Sequence, residues 1–347
     1  MFDKSDSVKT QVVRSDWYKQ LGKYEKPHLG KAVWQLVNTL VPYAGLWTAI
    51  VWMLNRGYSF WLTLPLMVIA AGLLVRVFIF FHDCGHGSFF ASPLANKIVG
   101  YICGILVFTP YEDWRHPHAV HHASTGDLER RGHGDIWTMT VEEYLAAPLK
   151  TRFAYRAYRN PFVMLFIGPL YIFLISQRVP HSDAGPRERE SVYIANIAIA
   201  GIMLLAHFTI GLKMYAMVQI PIMSMAGAAG VWMFYVQHQF EPVYWARHDK
   251  WDPIAAALEG SSYYKLPKVL QWFTGNIGLH HIHHLRPRIP NYNLQQCYDE
   301  VAALQVKEPL TIKRSIKSMF MNLWDESHQR LISFRALKRY RMQRTVA

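Results

Sequence analysis

The 347-residue chain is short of cysteine and short of charge, and each shortage excludes something. Its three cysteines, Cys84, Cys103 and Cys297, are an odd number without CxxC spacing, so neither a disulfide framework nor a thiolate zinc cluster is expected. Charged residues make up only 18 %, and acids are the scarcer sign, 24 against 37 bases. A net charge of +13 would suit nucleic acid, but no recognition motif accompanies it, and no nucleic-acid partner is expected. The chain shows no internal repeat and no low-complexity tract. Its first thirty residues lack an apolar h-region followed by a cleavage site, so the first long apolar stretch is expected to act as the membrane signal.

What is present is apolar and arranged in blocks. Hydrophobic residues account for 51 % and aromatics for 14 %. Four stretches, 37–54, 59–81, 191–212 and 214–236, are free of charge apart from Arg76 in the second. Each has about the 20 residues needed to cross a hydrocarbon core of roughly 30 Å. The expected fold is therefore an all-α integral-membrane protein with four transmembrane helices in two hairpins under a cytoplasmic helical cap. The first hairpin turns at Asn55-Arg56-Gly57. Bases gather before the first stretch (Lys4, Lys9, Arg14, Lys19, Lys23, Lys26, Lys31), between the hairpins and after the last stretch. Positive-inside logic then puts both termini and the long middle segment in the cytoplasm, as in a bacterial inner membrane or an endoplasmic reticulum.

The division that follows is a cytoplasmic N-terminal segment over 1–32, a membrane domain over 33–305 and a basic cytoplasmic tail over 306–347. Within the middle segment, 94–108 is apolar but too short to span and ends at Thr109-Pro110, which suits an interfacial or re-entrant position. Residues 140–155 mix apolar and charged side chains as one surface helix would. Residues 161–176 are apolar but interrupted by Gly168-Pro169, and an interfacial or half-inserted segment is expected there.

Histidine is the informative residue. Eight of the seventeen fall into three clusters, His82-Asp-Cys-Gly-His86, His118-Ala-Val-His121-His122 and His280-His-Ile-His283-His284. Offsets of i, i+3 and i+4 put imidazoles on one face of a helix, within about one 5.4 Å turn. Neutral imidazoles on one face are what a first-row transition metal needs. All three clusters fall at the same, cytoplasmic side of the expected spans, which favours one composite site. Eight imidazoles exceed the four ligands at which a zinc site closes, and suffice for two metals with three to five nitrogens each. Iron, zinc and copper all accept such a set; a redox-active metal, iron foremost, gains most from lying beside lipid chains. A metal transporter would instead place ionisable ligands at mid-span.

His238, where the fourth stretch ends, is a ninth candidate. Asp83, Asp127, Asp135 and Glu241 are candidate acceptors that hold imidazole tautomers, and Asn276 could orient a metal-bound water. No catalytic side chain beyond the metal ligands is read from the sequence. His116 and His281 fall off the ligand faces; His133, His181, His248 and His328 are expected to be solvated, and His207 stands alone within the third stretch.

HDCGH, WRxxHxxHH and GNIGxHxxHH, in that order around two hydrophobic hairpins, resemble the boxes of the membrane fatty acid desaturases. They stand here as His82–His86, Trp114-Arg-His-Pro-His118-Ala-Val-His121-His122 and Gly275-Asn-Ile-Gly-Leu-His280-His-Ile-His283-His284. The stretch Leu285-Arg-Pro-Arg-Ile-Pro-Asn-Tyr292 is similar as well, and the likeness covers about residues 35–305. It implies two non-haem iron ions, O2 as co-substrate, removal of two hydrogens from an unactivated acyl chain, and His238 as the ligand outside the boxes. The HDCGH variant resembles the acyl-lipid enzymes, including those that act at carbon 12 or on the methyl side. A hydroxylase or ketolase of acyl chains, alkanes or carotenoids on the same scaffold is the alternative. The His-Pro-Gly-Gly motif of a fused cytochrome b5 is lacking, so electrons are expected from an external carrier, ferredoxin or cytochrome b5.

Overall fold

The computed structural model describes residues 15–132 and 134–337. His133, the bases Lys4, Lys9 and Arg14, and residues 338–347 of the expected tail lie outside the described residues. Four helices are long and apolar enough to cross a membrane: Leu29–Asn55, Phe60–Gly85, Pro186–Thr209 and Leu212–His238. Two tight turns pair them. Gly57 (φ 80°) closes the first hairpin and Gly211 (φ 81°) the second, left-handed positions that glycine adopts without strain.

The pairs are not equivalent. In its most apolar window the second long helix is 61 % buried, against 22 % for the first and third, so it is the central element and they form the outer face. Trp34, Val41, Ile197, Leu205 and Phe208 on those outer helices are exposed, as lipid-facing side chains are. Leu73, Leu74, Val77, Phe80 and Phe81 of the second helix meet Val218, Ile222 and Met223 of the fourth in one apolar core.

Between the hairpins lie shorter helices in two bent pairs. Pro93–Leu106 is a short helix that turns at Phe108 (φ 56°) into Tyr111–Ser124, bent from it by 101°. The turn is tight because two glycines allow close approach. Gly100 lies against the Tyr111 ring, and a Cβ on Gly104 would stand 2.6 Å from the Thr109 carbonyl. Tyr111–Ser124, which carries the second histidine cluster, is thereby seated against the third long helix, where the Ser191 hydroxyl accepts from the N–H groups of Glu112 and Asp113.

Residues 140–155 are two helices, not the single one expected: Val141–Ala146 and Leu149–Tyr158. Pro148 is the cause, since it disfavours helical geometry at Ala147, which is extended (ψ 147°). The apolar segment after it is bent by 65° from Leu149–Tyr158 and includes a widened turn, Val163–Ile167, just ahead of Pro169. Pro169 has no N–H to give to that turn. Pro169 and Phe173 pack against Gly227 of the fourth long helix.

The cap is mostly helical and adds short strands to its helices. Met139–Thr140, Leu323–Asp325 and Arg330–Ile332 form a three-stranded sheet, and Tyr264–Lys265 pairs with Leu310–Thr311. The expected tail is not an appendage over 306–337, since those residues supply three of the paired segments and the fully buried Trp324. Arg159 fastens this region to the membrane helices through Tyr235, Gln239 and the Met321 carbonyl. Strands of two or three residues leave no periodicity to detect in the sequence.

Gly104→Val is expected to push the Thr109 carbonyl away and lower stability by about 1–3 kcal/mol, read as a reduced unfolding temperature of the detergent-solubilised protein.

Candidate metal centre

Each histidine cluster stands where a helix meets the cap. His82 lies in the last turn of the second long helix and His86 is its C-cap residue. His118, His121 and His122 line Tyr111–Ser124; His238 is the last residue of the fourth long helix; His280, His283 and His284 sit on the short helix His280–Leu285. All nine candidates come together, as two groups. One contains His82, His86, His118, His122 and His283, and the other His121, His238, His280 and His284, each with its candidate ligand atoms within 4.8 Å of one another.

The grouping cuts across the clusters. Successive residues on an α-helix advance by about 100°, so positions i, i+3 and i+4 spread over roughly 100° of its surface. His121 at one edge of that arc joins the second group, while His118 and His122 join the first. On the third cluster His283 turns to the first group, and His280 and His284 to the second.

Within the first group, Nε2 atoms approach at 3.0 Å (His86–His118), 3.2 Å (His118–His122) and 3.1 Å (His122–His283). In the second, the His238 Nε2 lies 3.2 Å from that of His121 and 3.0 Å from that of His280. The Nε2 of His284 is buried there without a hydrogen-bond partner. Two nitrogens bound at right angles to one ion, each about 2.1 Å away, stand about 3.0 Å apart, so the donor set fits a six-coordinate first-row metal. Burial first, then the neighbouring imidazoles, hold His86, His118, His122, His280, His283 and His284 well below the usual imidazole range, in the neutral form that coordinates.

Orientation comes from acceptors behind the rings. The Asp135 carboxylate lies 2.5 Å from His121 Nδ1, and that of Asp83 lies 3.2 Å from His82 Nδ1. The Gly260 carbonyl lies 3.4 Å from His238 Nδ1. These partners accept and cannot donate, so each Nδ1 carries the proton and each Nε2 presents its lone pair to the group.

The other three polar candidates are engaged elsewhere. Asp127 is taken by Arg130 (2.6 Å) and His248 (2.8 Å). Glu241 accepts from the Leu331 N–H, and Asn276 (φ 58°) reaches only the Asn291 carbonyl, at 3.5 Å. His181, His248 and His328, expected to be solvated, each stand 2.8 Å from a carboxylate, of Asp113, Asp127 and Asp325 respectively. His281 points away from both groups and is buried, 3.3 Å from the Leu304 carbonyl; burial and Lys307 pull it down to about 3.

Two supporting residues were not read from the sequence. Asn291 donates twice to Asp83 Oδ2, from its backbone N–H (2.7 Å) and its amide (2.9 Å), and in turn accepts from Gln35 (2.9 Å). Trp114 stacks on His118 with centroids 4.3 Å apart. Both stand in the quoted motifs, but nothing in their spacing marks them as supports. A cavity of about 430 Å³ opens beside the centre. His82, His118 and His280 form part of its wall, and Phe78, Ile79, Met223 and Phe234 are among its apolar lining.

A buried double imidazole cluster at the ends of apolar helices, beside an apolar cavity, marks a membrane protein with a candidate metal centre. The model of the fatty acid desaturase family matches residues 59–314. A fatty acid desaturase of Bacillus subtilis is 45 % identical over 320 residues, 92 % of this chain and 90 % of its own length. An sn-2 acyl-lipid omega-3 desaturase (ferredoxin) of Arabidopsis thaliana is 30 % identical over 71 % of this chain and 57 % of its own length. An sn-1 oleoyl-lipid 12-desaturase of Synechocystis is 27 % identical over 69 % of this chain and 68 % of its own. The chain belongs to the fatty acid desaturase family and is an oxidoreductase.

Asp135→Asn is expected to weaken binding of a divalent metal ion about 10–100-fold, measured by competition with a chelator. His281→Ala, by contrast, is expected to keep the metal stoichiometry while lowering the unfolding temperature, because it leaves a buried cavity.

Proposed function

We propose that the protein is an integral-membrane acyl-lipid desaturase that binds two iron ions, one in each imidazole group, and introduces a double bond into a lipid acyl chain. The observation that carries this reading is the junction of the two groups with the apolar cavity: His82 and His118 of one and His280 of the other share its wall. Such a wall accepts a hydrocarbon and excludes water. In the proposed topology both termini and the centre face the cytoplasm, in keeping with the distribution of bases. A position at carbon 12 rests on the form of the first box and on the printed name of the Synechocystis relative.

When bound, iron would supply the O2 chemistry that removes two hydrogens from adjacent methylenes. One O2, two electrons and two protons are consumed and two waters formed. The chain's own contribution is placement. Burial keeps the ligand rings neutral, Asp83 and Asp135 hold His82 and His121 in the tautomer that presents Nε2, and Asn291 holds Asp83. Phe78, Ile79 and Phe234 enclose the chain beside the ligands, so that the same pair of methylenes is presented each time. Electrons come from a separate carrier, and the basic cytoplasmic face would attract an acidic one such as a ferredoxin or a cytochrome b5.

Expression in a host lacking polyunsaturated lipids, followed by lipid profiling with double-bond location, tests the reading. A new double bond supports it, and hydroxylated or ketolated chains without one overturn it. His121→Ala and His283→Ala, one from each group, are each expected to abolish product and lower bound iron while the protein still reaches the membrane. Full activity in either variant would remove that residue from the ligand set.

A further inference from the structure

Resting on the acyl-lipid reading above, we propose that Gly230 determines the length of acyl chain the enzyme accepts, by leaving the cavity open halfway down its depth. The fourth long helix lines the cavity from Gln237 to Met223. At 1.5 Å per residue that is about 21 Å, more than the roughly 15 Å of one leaflet's hydrocarbon half. The two ends differ in chemistry. Asp135 and the ligand histidines supply polar groups at the end by the metal centre. Met223, Ala226 and Gly227, towards the other end of the helix, and Phe173 against Gly227 are apolar. An acyl chain whose reacting carbons lie beside the centre therefore runs its methyl-side segment towards the apolar end.

Two glycines of the same helix face this space and behave differently. A Cβ on Gly227 would meet Pro169 at 2.9 Å and Phe173 at 3.2 Å, so that glycine serves helix packing. A Cβ on Gly230 would meet nothing within 4 Å, although the residue lines the cavity and is only half-buried. The space beside Gly230 is thus not taken by a neighbouring helix. It lies seven residues before Gln237, about 10 Å below the centre on the methyl side of the reacting carbons. A side chain grown there fills that depth without disturbing the protein.

The test is a size series, Gly230→Ala, Gly230→Val and Gly230→Leu, in the full-length chain expressed in membranes. Desaturated products of hexadecanoyl and octadecanoyl length are measured together with bound iron. The ratio of longer to shorter product is expected to fall at each step, by roughly tenfold or more for leucine, since one methylene too many in an apolar pocket costs about that much discrimination. Iron content is expected to stay at the wild-type level. Gly45→Leu is the control: Gly45 is exposed on the first long helix with open space around it, and its substitution should leave the ratio unchanged. An unchanged ratio in the series, or an equal loss of both products with iron retained, overturns the proposal. Should the leucine variant fail to reach the membrane, the alanine and valine steps decide by the same criterion. Failure of the wild-type chain to form any double bond would count against the acyl-lipid reading itself and is thereby told apart.

Discussion

Nine imidazoles are brought together, seven of them with Nε2 atoms 3.0–3.2 Å from a neighbour's, and the remainder of the structure can be understood as what holds that array in place. Lone pairs directed at one another repel unless a proton or a cation lies between them. Burial disfavours the protons, since it depresses the basicity of the rings outside the membrane helices. The arrangement is therefore compact only with help from behind: carboxylates at His82 and His121, a carbonyl at His238, a stacked indole at His118. Asp83 is itself anchored by Asn291, and Asn291 by Gln35 of the first long helix, so the hydrogen-bond chain runs from a ligand to the outer wall of the protein.

That constraint accounts for the division of labour between membrane helices and cap. Helices long enough to cross the bilayer satisfy their own backbone and can carry polar residues only near their ends. His82, His86 and His238 occupy such ends. The other six stand on short helices that the cap and the segment between the hairpins bring over them. The same junction opens an apolar cavity, because the bent segment around Pro169 touches the fourth long helix at Gly227 and leaves space beside Gly230. Metal centre and substrate space are thus two sides of one interface.

The four long helices and the three clusters were legible because hydropathy and histidine spacing are strong local signals. The acceptors behind the rings were legible only in part. Asp83 adjoins a ligand in sequence, and its carboxylate does reach it; Asp135 stands fourteen residues from His121 and is brought back by the loop between. Asp127, closer in sequence to the second cluster, is drawn away by Arg130 and His248, and Glu241 by a backbone N–H of the cap. Asn291 gave no local signal, because its role depends on a contact 208 residues distant. The break at Pro148 was visible in principle, since proline disfavours helix at the residue before it.

By itself the sequence determined which segments would form long apolar helices and which histidines would stand at their ends, since each follows from the character of a few neighbouring residues. Only the tertiary structure decided how the nine histidines divide. An i, i+3, i+4 pattern spans about 100° of a helix, wide enough to serve two sites, and which edge faces which depends on how Tyr111–Ser124 and His280–Leu285 pack. The fold likewise decided that 306–337 belongs to the cap and that Gly230, unlike Gly227, opens on empty space. Both are matters of what lies opposite a residue, and no local pattern records that.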